Sequence, residues 1–262
     1  MRIGFYQCAP TFGAVEENLN HYAQALEGAR ADIIVLPELG NSGYLFLNQE
    51  EVEALAEPAD GPTCEFLQAL ARKHNTHLVL GFPEREGDDF YNSSMLVGPD
   101  GLMGIYRKVH LFYEEKLYFQ PGNLGFPVFE VNGVNVGMLV CFDHLFPEAA
   151  RMLALGGAQV IVHPSNLVLP TKAQLSTRVR SMENKMFWVM CNRYGTEDRG
   201  EKSLTYTGES QIVDTDGKVL VNAPPEGDCL QVVEIDPTEA LDKKVTSRND
   251  LLKDRRSEVY QL

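Results

Sequence analysis

The order in which apolar windows follow one another limits this chain's fold more than any other feature, because the same succession occurs twice. "IGFYQ" (3–7) has the pattern of a strand, and "EENLNHYAQALEGA" spaces Leu19, Tyr22, Ala23 and Leu26 as one helical face ending near Gly28. "DIIVLPE" predicts a strand, "GPTCEFLQALARKH" a helix and "THLVLGF" a strand. "SSMLVGPDGLMGIYRK" then reads as a hairpin turning at Pro99-Asp100-Gly101. The second half repeats the order. "NVGMLVC" is a strand, "FPEAARMLAL" a helix closed by Gly156-Gly157, and "AQVIVHP" a strand. "AQLSTRVRSMENKMF" is a helix, "WVMCN" a strand, and "ESQIVDTDGKVLV" a hairpin turning at Asp216-Gly217. A last strand, "CLQVVEI", precedes a charged tail. Each half predicts a mixed sheet that needs helices on its outer face. Packing the two bare faces together gives an α/β fold, a four-layer α-β-β-α sandwich of two similar halves. With no Pro/Ser-rich linker between them, the expectation is one domain over 1–262.

The chain has 262 residues, 44% of them apolar, enough for a large core. Its net charge of −14 argues against nucleic acid as a partner, since phosphate backbones need a basic face. No window approaches the length of a membrane span, and "MRIGFYQCAP" goes straight into a strand pattern rather than a signal peptide. Five cysteines without paired spacing fit reduced thiols and a cytoplasmic location.

There is no G-x-S-x-G elbow, Walker A loop, G-x-G-x-x-G or H-E-x-x-H. Polar residues do stand at the ends of apolar strands: Glu38 closes "DIIVLPE", Lys108 closes "MGIYRK" and Cys141 closes "NVGMLVC". Reactive groups of α/β sheets gather at such carboxyl ends. A thiol is a poor nucleophile until a base takes its proton, and a desolvated carboxylate can be that base. An ammonium can stabilise the oxyanion that forms when an amide carbonyl is attacked. Pro147 and Glu148 mark a helix start just beyond Cys141, a location that would expose the thiol and favour its anion. Bland readings compete: Cys8 and Cys191 as core packing, Glu38 as a solvated carboxylate, and Lys108 as the charged edge of a hairpin. "CFDH" also offers Cys141, Asp143 and His144 as metal ligands, but lacks the paired Cys or His of a zinc site.

Four segments in this order resemble the nitrilase superfamily of carbon–nitrogen hydrolases: "VLPELGNSGY" (35–44), "YRKVHLFYEEKLYFQPG" (106–122), "GMLVCFDHLFPEAARMLALGGAQVIVHPSN" (137–166) and "RVRSMENKMFWVMCNR" (178–193). The resemblance covers essentially the whole chain. It implies Glu38 as general base, Lys108 beside the oxyanion, Cys141 as nucleophile, and Glu115, with Glu114 its neighbour, as the second glutamate. It also implies the α-β-β-α sandwich, catalysis without a cofactor or metal, and at least a homodimer. The Phe142 N–H would face the oxyanion. Tyr44, Tyr113, His144, Asn166 and Leu167 are expected to line a pocket for a small, largely neutral amide. Arg178 or Arg180 would anchor a carboxylate if a loop turned either inward. "CFD" leans towards an amidase or carbamoyl-amide hydrolase, with small nitriles as the alternative substrate.

Overall fold

In the computed structural model, which describes residues 1–260, both halves take the expected order. The first comprises β1 (Arg2–Gln7), α1 (Val15–Ala25), β2 (Ile33–Val35), α2 (Gln49–Leu55), α3 (Pro62–His74), β3 (His77–Glu86), β4 (Asp89–Gly98) and β5 (Gly101–Arg107). The second begins with β6 (Val128–Val131), β7 (Val134–Met138), α4 (Pro147–Leu155), β8 (Val160–Ser165), α5 (Lys172–Asn184) and β9 (Phe187–Asn192). It continues with the hairpin β10 (Tyr194–Arg199) and β11 (Lys202–Thr207), then β12 (Gln211–Val213), β13 (Val219–Asn222) and β14 (Cys229–Glu234).

The strands form two six-stranded sheets, ordered β14-β1-β2-β3-β4-β5 and β6-β7-β8-β9-β12-β13. In each, the second, third and fourth strands run parallel and their neighbours antiparallel. The two orders therefore correspond strand by strand, with β14 standing in the first sheet where β6 stands in the second. That last strand returns to the start of the chain, pairing Arg2 with Glu234 through Gln7 with Cys229.

Alternation along each strand explains the layers. Ile3, Phe5, Ile33, Val35 and Val79 face inward and join Val136, Met138, Val160, Val162 and Val189 of the second sheet in one core. Tyr6, Ile34, Leu36, Leu78 and Leu80 face outward and are covered by Leu19 and Tyr22 of α1, Leu26 just past its end, and Leu67, Leu70 and Ala71 of α3. Ala149, Ala150 and Leu153 of α4 cover the second sheet from outside. Each fully buried Val, Leu, Ile, Phe or Met among them contributes on the order of 1.5–3 kcal/mol from apolar burial. The result is the α-β-β-α sandwich.

The main departures are local. β2 stops at Val35 rather than running to Glu38, because the chain bends away after Leu36 N–H donates to the Val79 carbonyl at 2.8 Å. The polar hairpin β10–β11 was not foreseen, since "YGTEDRGEKSLTYT" carries few apolar residues and packs largely on its own backbone pairing. Likewise α2 and β6 are too short, at 7 and 4 residues, for their periodicity to register.

Candidate active site

Glu38 lies three residues beyond the end of β2, on a turn held against β3. Gly40 N–H donates to the Gly81 carbonyl at 2.7 Å, Gly81 N–H donates to the Pro37 carbonyl at 3.0 Å, and Asn166 Nδ2 donates to the Glu38 carbonyl at 2.8 Å. Leu39 takes the left-handed region at φ 45°, which swings the chain away immediately after Glu38. The approach needs a glycine in β3: a Cβ on Gly81 would stand 2.4 Å from Glu38 Cα. Gly81→Ala is therefore expected to lower stability by about 1–3 kcal/mol, read as a reduced urea midpoint with an unchanged slope.

Lys108 follows β5 directly and is fully buried. Its Nζ donates to Glu38 Oε1 at 2.7 Å and to Glu115 Oε1 at 2.7 Å. An ammonium carries three N–H bonds, so one is left uncommitted to either carboxylate. Of the adjacent glutamates, Glu115 enters this cluster, while Glu114 pairs with Lys202 at 2.7 Å. Glu115 sits in a 3-10 turn, Tyr113–Leu117, and its Oε2 accepts from the Phe112 N–H at 3.1 Å. Tyr44 OH donates to Glu115 Oε1 at 2.6 Å, and Asn92 Nδ2 donates to Glu38 Oε1 at 2.8 Å. The second oxygen of Glu38, Oε2, is buried with no hydrogen-bond partner among the described residues.

Two carboxylates share one ammonium, so the cluster holds one negative charge too many for a dry site. Burial lifts Glu38 above the usual carboxylate range; Lys108 opposes this and Glu115 reinforces it. Burial works against the charge on Lys108, but Glu115 and Glu38 outweigh it and hold the lysine above its ordinary value. The lysine stays charged beside a Glu38 carboxyl group whose proton affinity is raised.

Cys141 opens a second 3-10 turn, Cys141–Leu145, at φ 43°. Asp143 fixes that turn. Its Oδ2 accepts from Val140 N–H at 3.0 Å and Tyr106 OH at 2.8 Å, and its Oδ1 accepts from His110 N–H at 3.1 Å and lies 2.7 Å from His110 Nδ1. His144 turns its Nδ1 to Ser176 Oγ at 2.6 Å. These bonds account for Asp143 and His144 of the "CFDH" stretch as supports of the turn. Burial lowers the His144 pKa to about 4, with Arg180 and Lys108 adding to the effect, so its ring is neutral.

The expectation of an exposed, anion-favouring cysteine is corrected. Cys141 is 4% exposed. Burial pushes its thiol well above the ordinary value and Glu38 adds to this, against Lys108 and a backbone hydrogen bond from Asn166. The 3-10 turn separates it from α4, which begins only at Pro147, and a helix dipole fades within one turn. Cys141 therefore rests as a thiol and needs a base.

Two cavities meet at this cluster. The larger, about 320 Å³, is walled by Tyr44, Phe46, Phe112, Tyr113, Glu115 and Leu204. The smaller, about 20 Å³, is bounded by Phe112, Cys141, Phe142, His144, Asn166 and Leu167, room for roughly one water. Phe112 borders both. Every residue expected to line a pocket borders one of the two. Arg178 does not turn inward, since its Nε donates to the Gly217 carbonyl at 2.9 Å, and Arg180 pairs with Glu183 on its own helix at 3.0 Å.

Several supporting residues were not anticipated. Asn92 belongs to a run of buried polar residues in β4, Asn92, Ser93 and Ser94, and polar residues in an otherwise apolar strand were the available signal. Buried Glu197 accepts from Leu45 N–H at 3.0 Å and Tyr206 OH at 2.9 Å and pairs with Arg193 at 3.2 Å, fixing the loop that carries Tyr44. Its hairpin looks solvent-exposed in sequence.

A base-like carboxylate, a lysine and a thiol assembled between the sheets of an α-β-β-α sandwich define a hydrolase of the carbon–nitrogen class. The family profile described as carbon-nitrogen hydrolase matches residues 2–242, and the chain belongs to that family. It is 40% identical over 264 residues to a protein of Pyrococcus abyssi named nitrilase, covering 99% of each chain. It is 37% identical to an (R)-stereoselective amidase of a Pseudomonas species, covering 98% of this chain and 92% of that one. Among solved structures it is similar to a mutant amidase of Nesterenkonia sp. AN1, with acrylamide added at that enzyme's active-site cysteine. That likeness has a TM-score of 0.80 at 28% identity and covers 98% of this chain and 97% of that one. By family the protein is a carbon-nitrogen hydrolase. No helix among the described residues is long and apolar enough to cross a membrane.

Proposed function

We propose that the protein cleaves the carbon–nitrogen bond of a small linear amide through a thioester on Cys141, as one domain and without a cofactor. The observation that carries this reading is the unpartnered Oε2 of Glu38, in a cluster where Lys108 stays charged and Cys141 rests as a thiol. Glu38 takes the thiol proton and the thiolate attacks the amide carbonyl. The tetrahedral oxyanion is held by the free N–H of Lys108 and the Phe142 N–H. Glu38 returns the proton to the departing nitrogen, leaving the thioester, then takes a proton from the attacking water and gives it to the departing Cys141 sulfur as the acid is released. Glu115 holds Lys108 in register and orients the substrate nitrogen. Phe46, Phe112 and Leu204 give part of the larger cavity apolar walls that fit an aliphatic or aromatic substituent, and Glu114, Glu201 and Lys202 line it as well, so a polar end can also be met there.

A second reading, hydrolysis of small nitriles through a thioimidate at the same cysteine, draws support from the likeness to the Pyrococcus abyssi nitrilase. Both are tested by ammonia release from wild type and Cys141→Ala on short aliphatic amides, dicarboxylic acid monoamides, carbamoyl amines and small nitriles. We expect release from amides that falls to background in the variant. Release from nitriles alone moves the assignment to the second reading, and release that survives Cys141→Ala withdraws both. Resemblance further supports at least a homodimer, which sedimentation would test.

A further inference from the structure

The mechanism above assigns no task to His163, yet this fully buried residue of β8 lies 2.9 Å, through its Nε2, from the carbonyl oxygen of Cys141. Only an N–H can donate to a carbonyl, so Nε2 carries the hydrogen. The other ring nitrogen, Nδ1, is buried with no partner among the described residues. Burial lowers the His163 pKa to about 3, with His144 adding to it, so the ring is neutral throughout the working range. Trp188 packs edge-on against the ring at 5.5 Å and Ser165 Oγ lies 3.3 Å from Nε2, so the imidazole has little room to turn.

The peptide unit that His163 grips is the one that matters chemically. The Cys141 carbonyl and the Phe142 N–H belong to the same trans amide and point in opposite directions. Cys141 and Phe142 border the small cavity and His163 does not, so pinning the carbonyl on the core side directs the N–H towards the cavity. The grip is needed because Cys141 holds φ at 43°, a conformation a non-glycine residue leaves readily when unsupported.

We propose that His163 is a positioning residue that sets the oxyanion donor: its Nε2–H holds the strained Cys141 peptide so that the Phe142 N–H faces the developing negative charge. This rests on the proposed amide hydrolysis at Cys141.

The test measures kcat and KM on the best amide, and the rate at which methyl methanethiosulfonate blocks Cys141, in wild type, His163→Gln, His163→Asn and His163→Leu. Disulfide exchange creates no oxyanion, so it reports the thiol and its base without the donor. The Gln amide nitrogen reaches the position of Nε2 and should keep kcat within about tenfold of wild type. Asn is one methylene short, and it and Leu should lose about 10²–10³-fold in kcat, the range for one oxyanion donor. KM and the thiol-blocking rate should stay near wild type. Equal losses in Gln and Asn, or thiol blocking that slows in step with kcat, overturn the role. The Gln and Asn pair decides the matter if Leu fails to fold. Absence of Cys141-dependent ammonia release in wild type itself removes the functional reading, and the role with it.

Discussion

Lys108→Met should leave no measurable amide hydrolysis and should cost about 3–5 kcal/mol of stability at neutral pH, the usual penalty for removing one partner of a buried ion pair. The lysine is the only cation hydrogen-bonded to Glu38 and Glu115 among the described residues, and all three side chains are buried. Without it two carboxylates face each other in a dry site, and the folded-state pKa of Glu38, already raised by burial and by Glu115, loses the one cation that opposed the rise. The unfolded chain releases that proton near the ordinary carboxylate value. The variant is therefore most stable relative to wild type below that value, and loses ground as pH rises through the raised folded pKa. Urea unfolding of both proteins at pH 4.5 and 7.5 checks this. A stability gap that is the same at both values would mean the carboxylates are not held together by Lys108.

Glu38→Gln should lower kcat/KM by about 10²–10⁴-fold, the range for removing a general acid–base group, with the fold intact. Gln keeps the side chain's shape and can still accept from Lys108 and Asn92, so its main loss is basicity. Because Cys141 rests as a thiol raised by burial, its blocking by methyl methanethiosulfonate should slow in the same variant. The wild-type pH profile follows from the direction of the Glu38 shift. The base must be unprotonated, and its folded pKa lies above the ordinary value, so activity should climb with pH through a midpoint above the usual carboxylate range. Glu38→Gln should lose that acid limb. A variant with wild-type thiol reactivity and an unchanged limb would remove Glu38 from the base's role.

Comparison of the sequence with the structure shows where patterning is informative. Strands such as "IGFYQ" and "AQVIVHP" were legible because their burial follows from alternation or a continuous apolar run. The paired order of elements was legible for the same reason, and with it the sandwich. Glu38, Lys108 and Cys141 stood out because each closes an apolar window, although Glu38 and Cys141 both lie on turns beyond the ends of β2 and β7. Glu115 needed the resemblance, since nothing in "EEK" distinguishes it from Glu114 until the turn aims one at Lys108 and the other at Lys202. Asn92, Glu197 and His163 stayed hidden because their partners are 54, 152 and 22 residues away. The protonation state of Cys141 was misjudged because the sequence shows a helix start nearby but cannot show burial, and here burial is the larger effect.

The return of β14 to the first sheet has a bearing on how the protein is made. Glu38, Lys108 and Glu115 lie in the first half of the chain, whereas Cys141, Asn166 and His163 follow in the second. A chain emerging from the ribosome presents Glu38, Lys108 and Glu115 well before Cys141, and its first sheet lacks an edge until the residues of β14 arrive. On the proposed mechanism Cys141 meets its base only where the two halves pack together, so catalysis requires both halves folded against each other.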